Sequence, residues 1–363
     1  MRILEVITAL SSGGAERFIV DLCNQMAEDG HDIILMTMKD PAIGNNGFYL
    51  YDISDKVKFI SLNLTKFGPF TFYTLYKAIK NVNCDIVHMH LDPHFFGIVS
   101  FLLDRDKKYF ITSHSQAESE KLNFLRFWVK KIGFRLHLYE QIAISHQNAE
   151  SIAKVYGSNA VGIIYNGRAS MAVTDEFSNV EKEINQYRYT LNTLVFTTIA
   201  RCNPAKNIPK LVRCFNEVKK RGYDITLLVI GDGYEGPTGL GIQQKALDHI
   251  HFLGAKHNIV DYLEASDFFT LSSDYEGMPI TLIEAMACGC IPIGTPVSGF
   301  NDVIIDGKNG FIAKDFSDEA YIHAIELAIQ NKASISRIDL QQSYKDNFSI
   351  HTCSSHYVEL FQK

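Results

Sequence analysis

Two hydrophobic patterns alternate along the first half of the chain. Short runs rich in β-branched residues predict buried strands, and longer stretches with apolar residues every three or four positions predict amphipathic helices. The predicted strands are ILEVIT, DIILMTM, KFISL, DIVHMH, YFITSH, QIAIS and VGIIYNG. The predicted helices cover 15–28, 70–81, about 94–103, 120–139 and 146–156. This repeated β-α-β order is typical of a parallel, doubly wound α/β sheet.

The order is lost over 170–192, where acids, Asn and Ser are scattered, and it resumes at 194. The later strands are predicted at LVFTTIA, DITLLVIG, IHFLG, DFFTLSS, CIPIGT and near 310, with helices over 207–221, near 242–249, 258–265 and 279–288. We therefore expect two Rossmann-like domains, 1–168 and 169–363, that face each other across a cleft. Such sheets bind ligands beyond the carboxyl ends of their strands, so functional residues are expected in the strand-to-helix loops.

Composition narrows the choice of function and compartment. A net charge of -6 with dispersed Lys and Arg argues against nucleic-acid binding, which needs a basic face. The seven cysteines are odd in number and lack CxxC spacing, so they predict reduced thiols in a cytoplasmic protein. No apolar run approaches the roughly 18 residues that a membrane span requires. A globular protein that is not integral to a membrane is expected.

The most informative segment is SDYEGMPITLIEAMACG, residues 273–289, which directly follows a predicted strand. Pro279 suits the first helical position and Gly289 the residue beyond the last, so a helix of about ten residues is predicted. Free amides and the positive end of the helix dipole attract phosphate at such a start. The residues expected to seat a pyrophosphate are Gly277, Met278, Pro279, Ile280 and Thr281.

Two acids and two cations flank this helix start. Glu276 precedes the helix and Glu284 lies roughly 7 Å further along, at 1.5 Å per residue. We expect them to accept hydrogen bonds from hydroxyls at the two ends of a bound nucleotide sugar, Glu276 from the sugar and Glu284 from the ribose. Arg201 and Lys206 follow LVFTTIA and are expected to offset charge on a leaving phosphate. The alternatives are a helix with two solvated acids and a basic loop in solvent.

The motif E-G-M-P-I-T-L-I-E, with glutamates eight apart, resembles the retaining GT-B glycosyltransferases of family 4. So do R-x4-K-N after a strand, G-D-G after ITLLVI, and IHFLG followed by DYLEASDFFTLSS. In the first half, GGAER, DIVHMH, IAIS and YNG are similar to the family's landmarks in their usual order, so nearly the whole chain is covered. The resemblance implies a GT-B fold whose last helix, about 352–361, packs back on the first domain.

The resemblance also implies roles in the first domain and in the G-D-G turn. Gly13, Gly14 and Gly231 would approach the donor. His90 would contact the reacting sugar or acceptor, and it joins Arg201, Lys206 and Glu276 as the expected catalytic residues; a core histidine bonded to a backbone carbonyl is the alternative. Glu16 and His114 are expected to meet the acceptor, although an acid in a first helical turn also suits the helix dipole.

The implied activity is retaining transfer of a hexose or N-acetylhexosamine from a nucleotide sugar to a glycan or lipid-linked glycan, as in cell-surface polysaccharide synthesis. UDP is the default donor nucleotide. No cofactor and no essential metal are expected, because cations and the helix start replace a divalent ion. Asp104-Arg105-Asp106 is interpreted as a solvated turn. Ala200 and Arg168 depart from the family pattern and put the shape of their loops in doubt.

Two other functions are considered. GDGYEG, residues 231–236, satisfies GxGxxG after a strand and raises an NAD-dependent oxidoreductase. Pro237 and two further glycines are expected to delay the helix, and no acidic residue ends a second strand about 20 residues later, which argues against it. The other is a nucleotide-sugar-binding subunit without turnover. Intact Glu276, Glu284, Arg201 and Lys206 argue against such degeneration.

Residues 121–138 combine basic and aromatic side chains at helical spacing. We interpret them as a helix that docks the first domain on the inner face of the cell membrane, where a lipid-linked acceptor would be found. A helix packed on the sheet with a basic outer face is the alternative. The residues concerned are Lys121, Arg126, Lys130, Lys131 and Arg135, with Phe124, Leu125, Phe127, Trp128, Ile132 and Leu136.

Overall fold

The computed structural model describes residues 1–114, 117 and 124–363. The chain divides into two compact units. The N-terminal unit contains Met1–Ala169 and Asn347–Lys363, and the C-terminal unit contains Ser170–Asp346. Each unit is an α/β fold around one parallel sheet, so the predicted pair of doubly wound, Rossmann-like folds is confirmed.

The N-terminal unit has a seven-stranded sheet of order β3-β2-β1-β4-β5-β6-β7. Its strands are β1 Arg2–Ile7, β2 Asp32–Lys39, β3 Lys58–Leu64, β4 Ile86–His90, β5 Lys108–Ser113, β6 Glu140–Ala143 and β7 Gly162–Ile163. Its helices are Gly14–Glu28, Pro69–Asn81, Pro93–Phe96, Ile98–Leu103, Phe124–Arg135, His146–Tyr156 and Ile350–Gln362. All its strand pairs are parallel, as β-α-β repetition predicts.

Strand order in this sheet decides which polar residues become neighbours. β1 lies between β2 and β4, and its register places Glu5 beside His88. β4 in turn pairs with β5, and His90 lies beside Thr112. Helix Ile350–Gln362 packs against helix Gly14–Glu28 within the same unit. Four polar side chains from three adjacent strands therefore meet in the centre of the sheet.

The C-terminal unit has a six-stranded sheet of order β10-β9-β8-β11-β12-β13. Its strands are β8 Leu194–Ile199, β9 Ile225–Ile230, β10 Ile250–Gly254, β11 Phe268–Leu271, β12 Ile291–Gly294 and β13 Phe311–Ile312. Its helices are Phe177–Gln186, Ile208–Lys220, Pro237–Gln243, Ile259–Glu264, Ile280–Ala287, Ser298–Val303, Asp318–Gln330 and Arg337–Asn347, the last ending one residue past the unit. Because β8 and β11 are paired, the loops that follow these two strands are neighbours.

The prediction of helices is wrong in detail at three places along the chain. The helix expected near 94–103 is two short helices, broken at Gly97, where a Cβ would lie 2.9 Å from both Met89 and Phe101. The segment 170–192 contains helix Phe177–Gln186, whose polar composition obscured the buried pair Val180 and Ile184. The helix expected near 242–249 runs instead over Pro237–Gln243. The helix expected over 120–139 is seen as Phe124–Arg135, and residues 120–123 lie outside the described residues.

Candidate functional site

Hydrogen bonds join the loops that follow β8 and β11 in the C-terminal unit. The backbone N–H of Asp274 donates to the carbonyl of Ala205 at 2.9 Å. The hydroxyl of Ser272 lies 3.1 Å from the carbonyl oxygens of Lys206 and Asn207. The side-chain amide of Asn207 donates to the Asp274 carboxylate at 2.9 Å. These contacts hold the two loops as one surface at the carboxyl ends of paired strands.

Asn207 fixes the point at which the first loop becomes a helix. Its φ is 45° and its ψ 47°, a left-handed conformation that Asn tolerates better than most residues. Its side-chain oxygen accepts a hydrogen bond from the N–H of Lys210, which caps helix Ile208–Lys220. The direction of the neighbouring Lys206 is therefore set by a capped helix and by the bond from Asn207 to Asp274.

Lys206 and Glu276 form an ion pair, with 2.5 Å between Nζ and Oε1. The Ser273 hydroxyl donates to the same carboxylate oxygen at 2.6 Å. Glu276 is buried. Sequence reasoning assigned Lys206 to a phosphate and Glu276 to a sugar hydroxyl, and it missed their mutual contact and Ser273. Both contacts use Oε1, so within the described chain Oε2 has no hydrogen-bond partner and is the oxygen that can meet a ligand.

Helix Ile280–Ala287 begins next to this pair. Pro279 is its N-cap rather than its first residue, and no side chain caps the helix start within the described chain. The first turn carries no acid. Gly289 follows the helix with a φ of 66°, as the sequence predicted. A helix start without a capping side chain or an acid offers its amides to an anion.

Gly299 holds the residues before this helix in place. A Cβ on Gly299 would lie 2.1 Å from the carbonyl oxygen of Gly277 and 2.6 Å from Cα of Met278. The stretch expected to seat a pyrophosphate therefore packs directly on helix Ser298–Val303. Thr281 lies in the first turn of the helix that follows. No side chain larger than hydrogen fits at position 299 without moving this backbone.

Glu284 lies inside helix Ile280–Ala287 and is only 3% exposed. Glu276 is 8% exposed. Buried carboxylates need partners, since burying a charge without compensation is costly. The alternative of an amphipathic helix with two solvated acids is therefore wrong.

Arg201 is exposed, whereas the backbone on either side of it is held by the turn after β9. The Tyr234 hydroxyl donates to the carbonyl of Ala200 at 2.8 Å. The N–H of Cys202 donates to the carbonyl of Asp232 at 2.8 Å. A Cβ on Gly231 would lie 2.0 Å from the Ala200 carbonyl oxygen. Gly231 thus allows the two loops to approach closely.

The GxGxxG turn is closer to a dinucleotide-binding turn than expected. Helix Pro237–Gln243 begins directly after Gly236, which is its N-cap. The expectation that Pro237 and the following glycines delay the helix is therefore wrong, because Pro is well placed in a first turn and Gly239 and Gly241 are accommodated within it. The second objection stands, since the strand Ile250–Gly254 and the three residues after it contain no acid.

In the N-terminal unit, Gly13 is the N-cap of helix Gly14–Glu28. Glu16 folds back over this start: its Oε1 accepts a hydrogen bond from the Ser11 hydroxyl at 2.7 Å. A Cβ on Gly13 would lie 2.2 Å from the other oxygen of Glu16. The Glu16 carboxylate therefore occupies the positive end of the helix in this structure, where Gly13 and Gly14 were expected to meet a phosphate.

A buried polar cluster surrounds Glu5 in the centre of the N-terminal sheet. Nδ1 of His88 lies 3.0 Å from Glu5 Oε2 and Nε2 of His90 lies 2.9 Å from the same oxygen. Nε2 of His88 lies 2.8 Å from the Thr112 hydroxyl. Nδ1 of His90 lies 2.9 Å from Nε2 of His114. Sequence reasoning missed Glu5, although an acid inside the apolar run ILEVIT was a signal.

The cluster shifts the pKa values of its members. Burial alone would raise the pKa of Glu5, but His88 and His90 outweigh it and lower the pKa to about 2. Burial, reinforced by His88, lowers the pKa of His90 to about 4. Burial and the two neighbouring imidazoles hold the pKa of His114 well below its usual value. At neutral pH the carboxylate is ionised and His90 and His114 are neutral.

His90 is fully buried, and Glu5 and His114 engage both of its ring nitrogens. The expectation that His90 itself contacts substrate does not fit this placement, because neither nitrogen faces solvent. His114 is half-buried and is the more accessible imidazole. Glu5, His88 and His90 are the described residues whose ligand atoms lie close enough together, within 4.8 Å, to hold a metal ion.

One further expectation is corrected, and Arg168, which departs from the family pattern, has a buried partner. Asp104 is buried and pairs with Lys107, with 2.8 Å between oxygen and nitrogen, so the Asp104-Arg105-Asp106 turn is only partly solvated. Arg168 forms a buried ion pair with Asp21, with 2.5 Å between Nη1 and Oδ2, and the backbone N–H of Ala169 donates to the same carboxylate. The unusual arginine after Asn-Gly thus has a defined partner.

The outer face of helix Phe124–Arg135 is mainly apolar. Lys130 is buried, Arg126 pairs with Asp92, and Arg135 Nε donates to the carbonyl of Tyr156. The exposed apolar residues follow at intervals of four: Phe124, Trp128, Ile132 and Leu136. Arg135 is exposed as well, so the outer side of this helix combines an apolar stripe with basic side chains, and the two interpretations of the helix both stay predictions. Lys121 lies outside the described residues, and so does the side chain of Leu125.

No helix in the described part of the chain is both long enough and apolar enough to cross a membrane. Residues 12–168 match the family model described as Glycosyltransferase Family 4. Residues 179–347 match the model described as Glycosyl transferases group 1. The boundary between the matches falls close to the boundary between the two units.

Individual proteins are similar at low identity over most of their length. N-acetyl-alpha-D-glucosaminyl L-malate synthase of Bacillus anthracis is 26% identical over 330 residues, covering 84% of this chain and 81% of that protein. N,N'-diacetylbacillosaminyl-diphospho-undecaprenol alpha-1,3-N-acetylgalactosaminyltransferase of Campylobacter jejuni is 23% identical over 304 residues, covering 78% and 79%. Anabaena HepE, solved with UDP and glucose, aligns over 100% of this chain and 99% of its own at a TM-score of 0.81 and 18% identity.

Proposed function

We propose that this chain, a glycosyltransferase of the GT-B fold, moves a hexose or N-acetylhexosamine from a UDP-sugar to a hydroxyl of a glycan or lipid-linked glycan, with retention at the anomeric carbon. The observation that carries the proposal is the Lys206–Glu276 pair beside the start of helix Ile280–Ala287. It combines a cation, an oriented carboxylate and a helix start without a capping side chain in one place.

The donor's diphosphate is assigned to the start of helix Ile280–Ala287. Its amides and dipole stabilise an anion by about 1–2 kcal/mol in a partly buried setting. Lys206 has three ammonium protons, of which one bonds to Glu276, so two remain for phosphate oxygens. Exposed Arg201 is the second cation. Together they stabilise the leaving UDP without a metal ion.

Glu276 and Glu284 are assigned to hydroxyls of the donor. Oε1 of Glu276 is held by Lys206 and Ser273, which leaves Oε2 to accept a hydrogen bond from the sugar. A hydrogen bond to a charged group contributes about 1.5–3 kcal/mol. Glu284, further inside the helix, is assigned to the ribose. This scheme has no protein nucleophile. The acceptor oxygen bonds to the anomeric carbon on the face that the phosphate leaves, which retains the configuration, and the leaving phosphate takes the proton of the acceptor hydroxyl.

Sugar and nucleotide are inferred from similar proteins. HepE was solved with UDP and glucose, and the two enzymes named above carry N-acetylglucosaminyl and N-acetylgalactosaminyl in their names. The Campylobacter enzyme's name also includes a diphospho-undecaprenol. The complex and these names support UDP as the nucleotide, a hexose or its N-acetylamino derivative as the sugar, and a lipid-linked glycan as the acceptor.

Donor binding is tested by calorimetric titration of the whole chain with UDP-glucose, UDP-N-acetylglucosamine, GDP-mannose and NADH. We expect a UDP-sugar to bind and Glu276→Gln to weaken it about tenfold, since a charged hydrogen bond becomes a neutral one. Glu181→Gln, an exposed acid of the same unit, is the matched control. Binding of NADH in preference to every UDP-sugar would overturn the proposal in favour of an oxidoreductase.

Turnover is tested with a radiolabelled donor and a lipid-linked acceptor extract. We expect a product whose anomeric configuration, read by NMR, is that of the donor, in the presence of EDTA. Inversion at the anomeric carbon would refute retention, and activity that EDTA abolishes would refute metal independence. Donor binding without hydrolysis or transfer would support a binding subunit instead.

Peripheral membrane docking is proposed for the exposed apolar stripe Phe124, Trp128 and Ile132. Lys131 lies over the ring of Trp128 at 5.5 Å and adds a cation beside this stripe. Such a face suits an anionic membrane surface. Co-sedimentation with vesicles that contain anionic phosphatidylglycerol is expected to fall about tenfold in Trp128→Ser/Ile132→Ser, but not in the control Leu191→Ser. Binding that is unaffected by this pair of substitutions would exclude docking through this helix.

A further inference from the structure

The buried cluster around Glu5 consists of ionisable side chains that the proposed donor chemistry does not use. Glu5, His88, His90 and Tyr357 are completely buried, and Thr112 almost so. Phe18 packs against the rings of His90 and His114, with centroid distances of 6.2 and 5.8 Å. Placing a carboxylate and two imidazoles in an apolar sheet is costly unless every proton is matched to an acceptor.

The proton positions follow from the carboxylate. An ionised carboxylate only accepts hydrogen bonds. Both Nδ1 of His88 and Nε2 of His90 lie about 3 Å from Oε2 of Glu5, at 3.0 and 2.9 Å, so both nitrogens must carry a proton. These two nitrogens lie 3.2 Å apart and cannot bond to each other when both are protonated. Glu5 thereby fixes the protonated nitrogen of two imidazoles.

The assignment extends to a third histidine. A neutral imidazole carries one proton. His90 uses its proton on Nε2, so its Nδ1 is an acceptor, and the atom facing it at 2.9 Å, Nε2 of His114, must be the donor. His114 then carries its proton on Nε2 and an acceptor lone pair on Nδ1. His114 is half-buried, unlike the other members of the cluster.

We propose that Glu5 is a positioning residue: through His90 it holds His114 in the tautomer whose Nδ1 accepts a hydrogen bond from the acceptor hydroxyl. The inference rests on the proposed function for the identity of that hydroxyl, but the tautomers themselves depend only on the cluster. The hydrogen bond holds the acceptor hydroxyl in place. As the bond from the anomeric carbon to the phosphate breaks, the hydroxyl oxygen bonds to that carbon and its proton passes from Nδ1 of His114 to the phosphate oxygen.

The tautomers are read directly, without substrate, from long-range nitrogen–proton correlation spectra of the whole chain labelled with ¹⁵N-histidine, with His114→Gln and His90→Gln used for assignment. At neutral pH we expect a proton on Nδ1 of His88 and on Nε2 of both His90 and His114. A proton on Nδ1 of His114, or an imidazolium there, overturns the proposal. So does stoichiometric zinc in the purified protein that His88→Ala releases, because a metal ion would replace both protons facing Glu5.

The functional part is tested with Glu5→Gln, whose amide can donate as well as accept. We expect His114 to show a mixture of tautomers, and transfer to the acceptor to fall about tenfold or more while donor hydrolysis by water stays within about twofold. Glu28→Gln, an exposed acid of the same unit, is the control. Equal loss of transfer and hydrolysis would refute positioning of the acceptor. Absence of both reactions in the unsubstituted chain would refute the proposed function, whereas the spectra would still decide the tautomers.

Discussion

Replacing Lys206 by methionine tests both roles that the structure gives to this lysine. Its Nζ lies 2.5 Å from Oε1 of Glu276, and the exposed side-chain fractions are 26% and 9%. Removing one partner of a fully buried ion pair costs about 3–5 kcal/mol. Lys206 is a quarter exposed and Ser273 still donates to the carboxylate, so we expect a loss of about 1–2 kcal/mol in the free energy of unfolding.

Calorimetry of the whole chain measures this loss. A domain of 150–250 residues loses about 2–4 °C in melting temperature per kcal/mol, so the transition of the C-terminal unit is expected to fall by roughly 2–8 °C. Lys182→Met removes an exposed lysine of the same unit and is expected to shift it by less than about 2 °C. UDP-sugar affinity should fall at least about tenfold in Lys206→Met only, because a desolvated phosphate loses a cation.

The double variant Lys206→Met/Glu276→Gln separates the ion pair from other effects. In the Lys206→Met background, Glu276→Gln removes the carboxylate that has lost its cation. It should therefore cost less stability there than in the unsubstituted chain, or even restore stability. Strictly additive losses would refute the reasoning, because they would mean that the 2.5 Å contact contributes no coupling. An unchanged melting temperature in Lys206→Met would refute it equally.

Three further predictions concern packing, pH and a second ion pair. Gly299→Ala should destabilise the C-terminal unit by about 1–3 kcal/mol in urea unfolding and weaken UDP-sugar binding, because its Cβ would meet backbone at 2.1 Å. The control Gly241→Ala, which has open space around it, should be neutral or stabilising. Equal changes in stability in the two variants would contradict the packing of Gly299. Burial lowers the pKa of His90 from 6.5 to about 4, so its stabilising contribution is complete above pH 6.5 and is lost as the pH falls toward 4. The free energy of unfolding, measured in urea, should therefore decline between pH 7.5 and 4. His90 contributes at most about 3 kcal/mol to this decline, so the decline should be shallower in His90→Gln. Equal slopes would contradict the lowered pKa of His90. Asp21→Asn should destabilise the N-terminal unit by about 3–5 kcal/mol, since it removes the buried carboxylate that Arg168 and Arg17 both contact. The exposed Asp32→Asn should cost less than about 0.5 kcal/mol. Similar effects of the two substitutions on thermal melting would argue against the buried pair.

The sheets were predictable because parallel, doubly wound strands are buried on both faces and appear as short apolar runs bounded by helical periodicity. Every predicted strand has a counterpart in the structure. Polar helices were harder to predict. Helix Phe177–Gln186 buries only Val180 and Ile184, so two apolar positions set its inner face and local composition favoured a loop. The helix start at Pro237 was missed because Pro237 and the two glycines after it were expected to delay the helix, although a proline suits the first turn and Gly239 packs on the backbone of Tyr234.

Some features of the candidate site could likewise be predicted from the sequence, and others could not. The helix start and its acids were predictable, since a strand, Gly277, Pro279 and Gly289 mark the boundaries of one short helix. The contact between Lys206 and Glu276 was not, because it depends on β8 pairing with β11, about 70 residues apart in sequence. Glu5 was missed for a related reason: only the register of β1 against β4 brings it beside His88.

A sugar diphosphate is proposed to bind where helix Ile280–Ala287 begins, beside Lys206 and Glu276. A crystal structure of the chain soaked with a UDP-sugar tests it most directly. We predict diphosphate oxygens within hydrogen-bond distance of the Ile280 and Thr281 amides and of Lys206 Nζ, and a sugar hydroxyl on Oε2 of Glu276. Density for the nucleotide elsewhere, with the Lys206–Glu276 pair and the helix start untouched, would contradict the claim.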